Sequence, residues 1–296
     1  MDEELTDEIA RLAYKLLLGR PVESEDMLRF ARGYGTLGRL RDALLNSREF
    51  EYILNLRPRL VPPGAPPMRI DWHTDDAGAR AMLAEVGAAW DGVPTADGDG
   101  SREAADIAAC LLRAGGPPPD DAQAFELGCG AGRVTRHLAK LVGTLTASDA
   151  SPVQLAAAQR MADSAGLANI GFRAADDLGF GMAEPFDLWY SYHALHHCPP
   201  PLAARVLARA FALLRPGGVA IFQTATYGMG YTYTAADTAR PRAADPREDK
   251  QVLPQPVIFH LAAEAGCDPI EVIEDLSVAP SALWRSSLFV LRKRPA

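Results

Sequence analysis

An apolar stretch, a glycine-rich turn and a helix-forming stretch follow one another between residues 124 and 139, and they limit the possible folds more than any other feature. Ala124–Leu127 has the pattern of a buried strand, Gly128–Gly132 forms the turn, and a helix is predicted over Arg133–Ala139. Such a turn lets a nucleotide-type ligand approach the backbone at a helix N-terminus, although a loop can be glycine-rich merely to turn. The spacing G-x-G-x-G lacks the last glycine of the dinucleotide fingerprint, which disfavours a nicotinamide dehydrogenase.

A second strand signal ends in a carboxylate. Leu145–Ser148 is followed by Asp149, about 20 residues beyond the glycines, where an acid can accept hydrogen bonds from both ribose hydroxyls. The alternative is that Asp149 caps the next predicted helix, but Ser151 is better placed for that role because Pro152 would then occupy the first helical position.

A third strand signal, Gly171–Ala174, leads into Asp176 and Asp177. One of these carboxylates, with Asp176 favoured, could face the amino group of an adenine, or both could be solvated loop acids. Strand and helix signals then alternate to the C-terminus, which predicts a parallel α/β sheet.

In this order and spacing the segments resemble class I S-adenosylmethionine (SAM)-dependent methyltransferases, from about Phe125 to Ala296. The matching motifs are Glu126–Gly132, Ser148–Ser151, Leu195-His196-His197 and Leu214-Arg215-Pro216-Gly217-Gly218. The resemblance implies an α/β, Rossmann-like, seven-stranded, mostly parallel sheet whose last strand is antiparallel. Pro269–Ile273 and Ser287–Leu291 are expected to form the closing pair of strands.

The resemblance also implies SAM as the cofactor. The glycine loop, including Cys129, would then approach the methionine part of SAM, and Glu126 would face the amino group of that part. Asp149 and Ala150 would lie at the ribose, and Asp176 or Asp177 would face the adenine. The residues of the loop that allow this close backbone approach are Gly128, Gly130 and Gly132.

A hydroxyl acceptor needs a base that titrates near neutrality, which favours histidine. His193, His196 and His197 follow the fourth strand, where ligands of an open α/β sheet bind. We predict His197 as the base and His193 as the second candidate. Alternatives are a packing role, a base elsewhere, and a metal site. No metal is expected, because the segment contains no carboxylate and Pro199–Pro201 ends any helix.

The insertion beginning at Gln223 is predicted to be a substrate lid, or else a plain mobile loop. Its tyrosines, Tyr227, Tyr231 and Tyr233, would suit a polar ring such as a sugar. This stretch resembles methyltransferases found beside glycan-assembly genes, in which a Met-His pair is expected just before Leu-Pro-Gln. Here Asp249–Val252 precedes Leu253, and the departure removes a possible base.

The predicted function is therefore methyl transfer from SAM to a hydroxyl of a sugar, a glycan precursor or another small polar metabolite. An amine, phenol or quinone-like acceptor is the first alternative. A SAM-binding module without turnover, acting in a glycan-assembly complex, is the second. The intact Glu126, Asp149 and loop glycines argue against that last possibility.

Proline divides the chain. We predict a helical module over residues 1–56, followed by a Pro-rich linker over 57–70. A helical lead-in over 71–120 would then cover the cofactor cleft, and the methyltransferase domain would extend over 121–296. The first part is predicted to be a small all-α domain. Its segments Leu17–Pro21 and Leu44–Phe50 resemble an uncharacterised module that accompanies enzymes of bacterial surface-glycan synthesis.

Composition excludes some partners. The net charge of −8, from 30 basic and 38 acidic residues, argues against nucleic-acid and anionic-membrane binding, and the Asn/Asp-Pro-Pro-Tyr/Phe tetrad of base-modifying relatives is missing. The acidic start differs from a secretory signal, and no apolar run reaches the length of a membrane span. Cys110, Cys129, Cys198 and Cys267 form no C-x-x-C pair, so we expect a reduced, cytoplasmic protein.

Overall fold

A computed structural model describes residues 5–18, 22, 24–45, 47, 68–91, 93, 98–234, 237, 245–275 and 284–295. The chain divides into two compact units, Met1–Pro66 and Pro67–Ala296. Most of the linker predicted over residues 57–70 lies outside the described residues. At its described end, Arg69–Ile70 form a two-residue strand.

The N-terminal unit contains three described helices, α1 (Asp7–Leu18), α2 (Glu25–Arg32) and α3 (Leu37–Leu45). The hydroxyl of Ser24 caps α2 by accepting a hydrogen bond from the backbone N–H of Met27. Their common core is apolar, with Leu28, Ala31 and Leu40 completely buried. Of the segments singled out above, Gly19–Pro21 and Phe50 lie outside the described residues.

The larger unit alternates helices and strands. Its elements are β1 (Arg69–Ile70), α4 (Asp76–Trp90), α5 (Ser101–Arg113), β2 (Gln123–Leu127), α6 (Thr135–Leu138), β3 (Thr144–Asp149), α7 (Pro152–Ser164), β4 (Ile170–Ala174), β5 (Phe186–Ser191), α8 (Pro200–Leu213), β6 (Leu214–Gly228), β7 (Thr232–Tyr233), α9 (Gln255–Glu264), β8 (Cys267–Asp275) and β9 (Trp284–Lys293). A short 3₁₀ turn, Leu195–His197, lies between β5 and α8.

Seven strands form one sheet in the order β4-β3-β2-β5-β6-β9-β8. Strand β9 is antiparallel to both β6 and β8, and the other pairs are parallel. The prediction of a Rossmann-like, mostly parallel sheet with an antiparallel last strand is confirmed. The chain order reverses between β2 and β5, and ligands of such sheets bind in the crevice at the carboxyl ends of these strands.

Alternating side chains fill both faces of the sheet. Phe125, Trp189 and Phe222 belong to one buried layer, whereas Leu188 and Tyr190 belong to the layer on the other face. A one-residue slip of β5 would exchange these layers, so burial on both faces fixes the strand register. That register sets where each strand ends and therefore where the polar residues that follow it lie.

Two local predictions differ from the structure. The helix after the glycine loop is only Thr135–Leu138, shorter than Arg133–Ala139. The predicted lid does not begin at Gln223, because β6 continues to Gly228 and pairs with β9 over this stretch. The buried, β-branched Thr224 and Thr226 suit an extended strand covered on both faces.

Candidate active site

A cavity of about 450 Å³ lies at the carboxyl ends of β2, β3 and β5. The lining includes Glu126, Gly128, Cys129, Gly130, Asp149, Ala150, His193, His196 and His197. The sheet thus brings the predicted glycine loop, the acid after β3 and the three histidines to one cavity.

The glycine loop is held against the end of β3. The backbone N–H groups of Gly128 and Cys129 both donate to the carbonyl oxygen of Ser148, at 2.7 and 3.0 Å. A Cβ on Gly128 would come within 2.3 Å of the Ala194 Cβ, so packing requires glycine there. A Cβ on Gly130, by contrast, would meet nothing within 4 Å. Gly130 therefore leaves open the side of the loop that faces the cavity.

Asp149 connects this loop to α7. Its Oδ2 accepts a hydrogen bond from the N–H of Gly130 at 2.8 Å, and its Oδ1 accepts one from the N–H of Ser151 at 2.9 Å. Ser151 itself caps α7, accepting from the N–H of Gln154, so Asp149 is not needed as the cap. Burial raises the pKa of Asp149, while the backbone donors oppose the shift.

Glu126 is the buried carboxyl group of the site. It is 3% exposed, and its Oε2 has no hydrogen-bond partner among the described residues. Burial raises its pKa to about 7 and the nearby Asp149 carboxylate adds to that rise, whereas the Thr135 side chain and the charge of Arg133 oppose it. Because buried polar atoms are normally paired, this oxygen suits a ligand cation such as an ammonium group.

The two acids predicted to face an adenine lie outside the cavity lining. Asp176 and Asp177 are exposed and do not line the cavity, and Asp177 Oδ1 accepts a hydrogen bond from the Gly179 N–H in a local turn. Ala175 and Phe180 form the wall instead. The Ala175 N–H donates to the Asp149 carbonyl at 2.9 Å, which keeps this wall beside the acid.

The segment predicted as a helical lead-in supplies lining residues that the sequence analysis did not single out. Leu83, Val86 and Trp90 of α4 line the cavity. Glu103 of α5 also lines it and forms an ion pair with Arg133 at 2.7 Å, with side chains only 18% and 19% exposed. In the sequence these apolar residues look like any buried helix face, and the ion pair spans 30 positions.

Gln223 connects two of the histidines. Its Oε1 lies 3.3 Å from the backbone nitrogen of His193, a residue with the positive φ of 57°, and 3.2 Å from Nδ1 of His196. A backbone N–H can only donate, so the amide atom facing it is the oxygen. That oxygen in turn requires a proton on His196 Nδ1, which leaves Nε2 of the neutral ring as an acceptor.

His197 has the same tautomer for a similar reason. Its Nδ1 lies 3.3 Å from the backbone oxygen of Asp249, which can only accept, and its ring packs against Trp90 with centroids 4.8 Å apart. Burial lowers the pKa of His193 and lowers that of His196 well below its ordinary value. Those two rings are therefore held in the neutral form, as proton acceptors.

The three predicted substrate tyrosines do not line this cavity. The hydroxyl of Tyr231 donates to Oε1 of Gln251 at 2.7 Å, and Tyr233 belongs to β7 beside β1. Arg247 and Lys250 are found at the cavity wall instead. The Asp249–Val252 segment, in which no Met-His pair is present, thus brings Lys250 to the cavity wall.

The described residues contain neither a metal-binding cluster nor a membrane-spanning helix. No group of three or more His, Cys, Asp or Glu side chains in this part of the chain could hold a metal ion. No helix there is both long enough and apolar enough to cross a membrane.

Residues 124–218 match the family model described as a methyltransferase domain. Among curated proteins, the chain is 31% identical over 102 residues to a ubiquinone biosynthesis O-methyltransferase of Pseudomonas fluorescens, covering 34% of this chain and 43% of that protein. It is 38% identical over 109 residues to a trans-aconitate 2-methyltransferase of Streptomyces avermitilis, covering 36% and 40%. The chain thus spans about two fifths of the length of these relatives.

Solved structures share the fold. The [4+2]-cyclase SpnF has a TM-score of 0.52 at 14% identity, covering 77% of this chain and all of that one. The geranyl diphosphate C-methyltransferase of Streptomyces coelicolor A3(2) has a TM-score of 0.51 at 10% identity, covering 72% and 97%. The larger unit thus has the Rossmann-like fold of these enzymes, and at such identities the likeness concerns the fold alone.

Proposed function

We propose that this chain is a class I SAM-dependent methyltransferase that methylates a hydroxyl group of a small polar molecule. The observation that carries the proposal is one cavity that joins an open glycine loop, the Asp149 carboxylate and the unpartnered oxygen of Glu126. The methyltransferase-domain match over residues 124–218 and the names of the curated relatives support it.

The residues present fit this cofactor. Gly130, with open space at its Cβ position, admits the methionine part, and the buried Glu126 carboxylate would pair with its ammonium group. Asp149 would accept hydrogen bonds from the ribose, and Ala150 lies beside it. Asp176 and Asp177 retain a proposed role only at the exposed rim near the adenine, since Ala175 and Phe180 form the wall.

When bound, SAM supplies an electrophilic methyl group on a sulfonium sulfur. Methylation of a hydroxyl oxygen would release its proton, so a residue of this chain beside the acceptor must take that proton. His197 is our first candidate and His193 the second. In the tautomer set by the Asp249 carbonyl, Nε2 of His197 carries the required lone pair, and the Asp249 carbonyl and Trp90 hold its ring.

For the acceptor, we propose a sugar or glycan precursor, supported by the resemblance of the N-terminal segment to a module of glycan-synthesis enzymes. Tyr227, Tyr231 and Tyr233 remain proposed contacts for an acceptor that extends beyond the cavity. A phenolic or quinone-like acceptor is the second candidate, and the match to ubiquinone biosynthesis O-methyltransferases favours it.

Calorimetry with S-adenosylhomocysteine tests the cofactor assignment directly. We expect the wild type to bind and Asp149→Asn to bind at least about tenfold more weakly, because an amide cannot accept both backbone donors. Asp120→Asn is the matched control, since Asp120 is exposed and does not line the cavity. A wild-type chain that does not bind would overturn the proposal.

Transfer of a labelled methyl group from SAM to sugar nucleotides, phenols and amines then identifies the acceptor class. Incorporation into a sugar hydroxyl supports the first candidate, and incorporation only into phenols supports the second. Cofactor binding without transfer to any of them would indicate the non-catalytic module instead.

A further inference from the structure

The cavity has two ends of different charge. Near the ends of β3 and β4, Asp149, Ala150 and Ala175 form its wall. At the opposite end, beyond β5, the wall consists of the three histidines together with Arg247 and Lys250, which precede α9. The first end suits the cofactor, so the nitrogen-rich end is where the acceptor must lie.

Most cations of the lining already have partners. Arg247 makes three hydrogen bonds of 2.6 to 3.0 Å to the Asp245 carboxylate, which lower the pKa of Asp245 to about 2. Arg133 is paired with Glu103 at 2.7 Å. Each of these two guanidinium groups therefore already has a carboxylate of the protein beside it, although a guanidinium keeps further N–H donors.

Lys250 differs from both arginines. Its side chain is half-buried and lines the cavity, and its Nζ takes part in no hydrogen bond or ion pair with the described residues. Burial lowers its pKa, and the carboxylates of Asp245 and Asp249 oppose that shift from a distance. A half-buried ammonium group without a direct partner is stabilised by an anion from outside the protein.

We propose that the acceptor is an anion whose carboxylate or phosphate oxygen binds Lys250 Nζ at the histidine end of the cavity. This inference rests on the proposed methyltransferase function and adds the charge of its substrate. An anionic acceptor held there would place its hydroxyl near His193 and His197. Lys250 lies in the Asp249–Val252 segment, which departs from the expected Met-His pattern, so this segment brings a cation to the cavity wall and no histidine.

The cofactor also has a carboxylate, which Lys250 could bind instead. Arg133 directly follows the glycine loop and lines the cavity, so it is better placed for that group. Lys250 lies at the wall with the histidines, and its charge contributes to lowering the pKa of His196, on which Arg133 has no resolved effect. The experiment must therefore measure cofactor and anion binding separately.

We would first titrate wild type, Lys250→Met, Lys250→Arg and Lys140→Met with S-adenosylhomocysteine. Lys140 is exposed and away from the lining, so it gives a matched charge loss. All four proteins should bind equally. Failure of the wild type here would overturn the proposed function. A loss of at least about tenfold confined to Lys250→Met would show that Lys250 binds the cofactor carboxylate, which overturns the anion proposal alone.

The loaded proteins are then titrated with matched probes, 4-hydroxybenzoate against its methyl ester and glucose 6-phosphate against glucose. We expect at least one anion to bind the wild type at millimolar or lower concentration, and its neutral counterpart to bind at least about tenfold more weakly. Lys250→Met should bind the anion and its neutral counterpart equally, whereas Lys250→Arg should keep the preference for the anion. Which anion binds distinguishes carboxylate from phosphate. Equal binding of charged and neutral probes, unchanged binding by Lys250→Met, or no binding of either anion overturns the proposal.

Discussion

Gln223 holds His196 in one tautomer. The amide oxygen that accepts the His196 Nδ1 proton at 3.2 Å is also the acceptor for the backbone N–H of His193. Gln223 lies on β6 and the histidines follow β5, so one completely buried amide links two neighbouring strands at the cavity. It also supports the left-handed backbone at His193, a conformation that is strained for a residue with a Cβ.

Replacing Gln223 by Leu should release both donors and cost about 1–3 kcal/mol of unfolding free energy. Urea denaturation measures this loss, and Gln159→Leu on the exposed face of α7 is the control. Nitrogen-15 NMR of labelled histidine should show the proton of His196 on Nδ1 in the wild type and a mixture of tautomers in the variant. A proton found on Nε2 in the wild type would contradict the assignment.

His197→Ala should reduce turnover at least about tenfold while S-adenosylhomocysteine still binds, because the variant lacks the proposed proton acceptor but keeps the glycine loop. His260→Ala is the control, since His260 is exposed on α9 and outside the cavity. Unchanged turnover in His197→Ala, measured with labelled SAM and the acceptor found in the screen, would exclude this role for His197.

Sequence patterns predicted the features that depend on neighbouring residues. The Ser151 cap with Pro152 in the first turn and the closing pair of strands, β8 and β9, were anticipated because capping and strand alternation are local. The order of the sheet followed from resemblance to a family rather than from local pattern.

Contacts between distant segments could not be predicted in the same way. Trp90 packs on His197 across more than a hundred positions, and the Tyr231 hydroxyl donates a hydrogen bond to Gln251. The sequence predicts Gln223 as the start of an insertion, although its amide oxygen accepts hydrogen bonds from the histidines after β5 inside the sheet. Only the packed chain shows which polar groups satisfy one another.

Alanine at two loop glycines should have different effects. Gly128→Ala would bring its Cβ to 2.3 Å from that of Ala194, so we expect a marked loss of thermal stability. In Gly130→Ala the added Cβ meets no neighbouring atom, and the only cost is the positive φ of 54°. The free energy of unfolding should therefore fall by about 1–2 kcal/mol, while the methyl group fills the open side of the loop. Calorimetry should then show at least about tenfold weaker cofactor binding. Equal cofactor affinity in Gly130→Ala and wild type would contradict this reading of the loop.

The raised pKa of Glu126 makes both stability and cofactor binding depend on pH. The folded value is about 7 and the ordinary value 4.5, so between them the folded chain binds more protons than the unfolded one. The free energy of unfolding therefore falls as pH rises through this window, by roughly 3 kcal/mol from this residue. Urea denaturation at several pH values measures this decrease in the free energy of unfolding. Glu126→Gln should lack the part that comes from residue 126, whereas Glu184→Gln, at an exposed position, should show the full decrease.

Cofactor binding should change in the opposite direction, because an ammonium group stabilises the ionised carboxylate. Wild-type affinity for S-adenosylhomocysteine should rise between about pH 6 and about pH 8, with the proton on Glu126 released on binding. Asp149 and Arg133 face the same carboxyl group and are unchanged in Glu126→Gln, so its affinity should be lower and nearly flat over this range. An equal rise in both proteins would assign the pH dependence to another group.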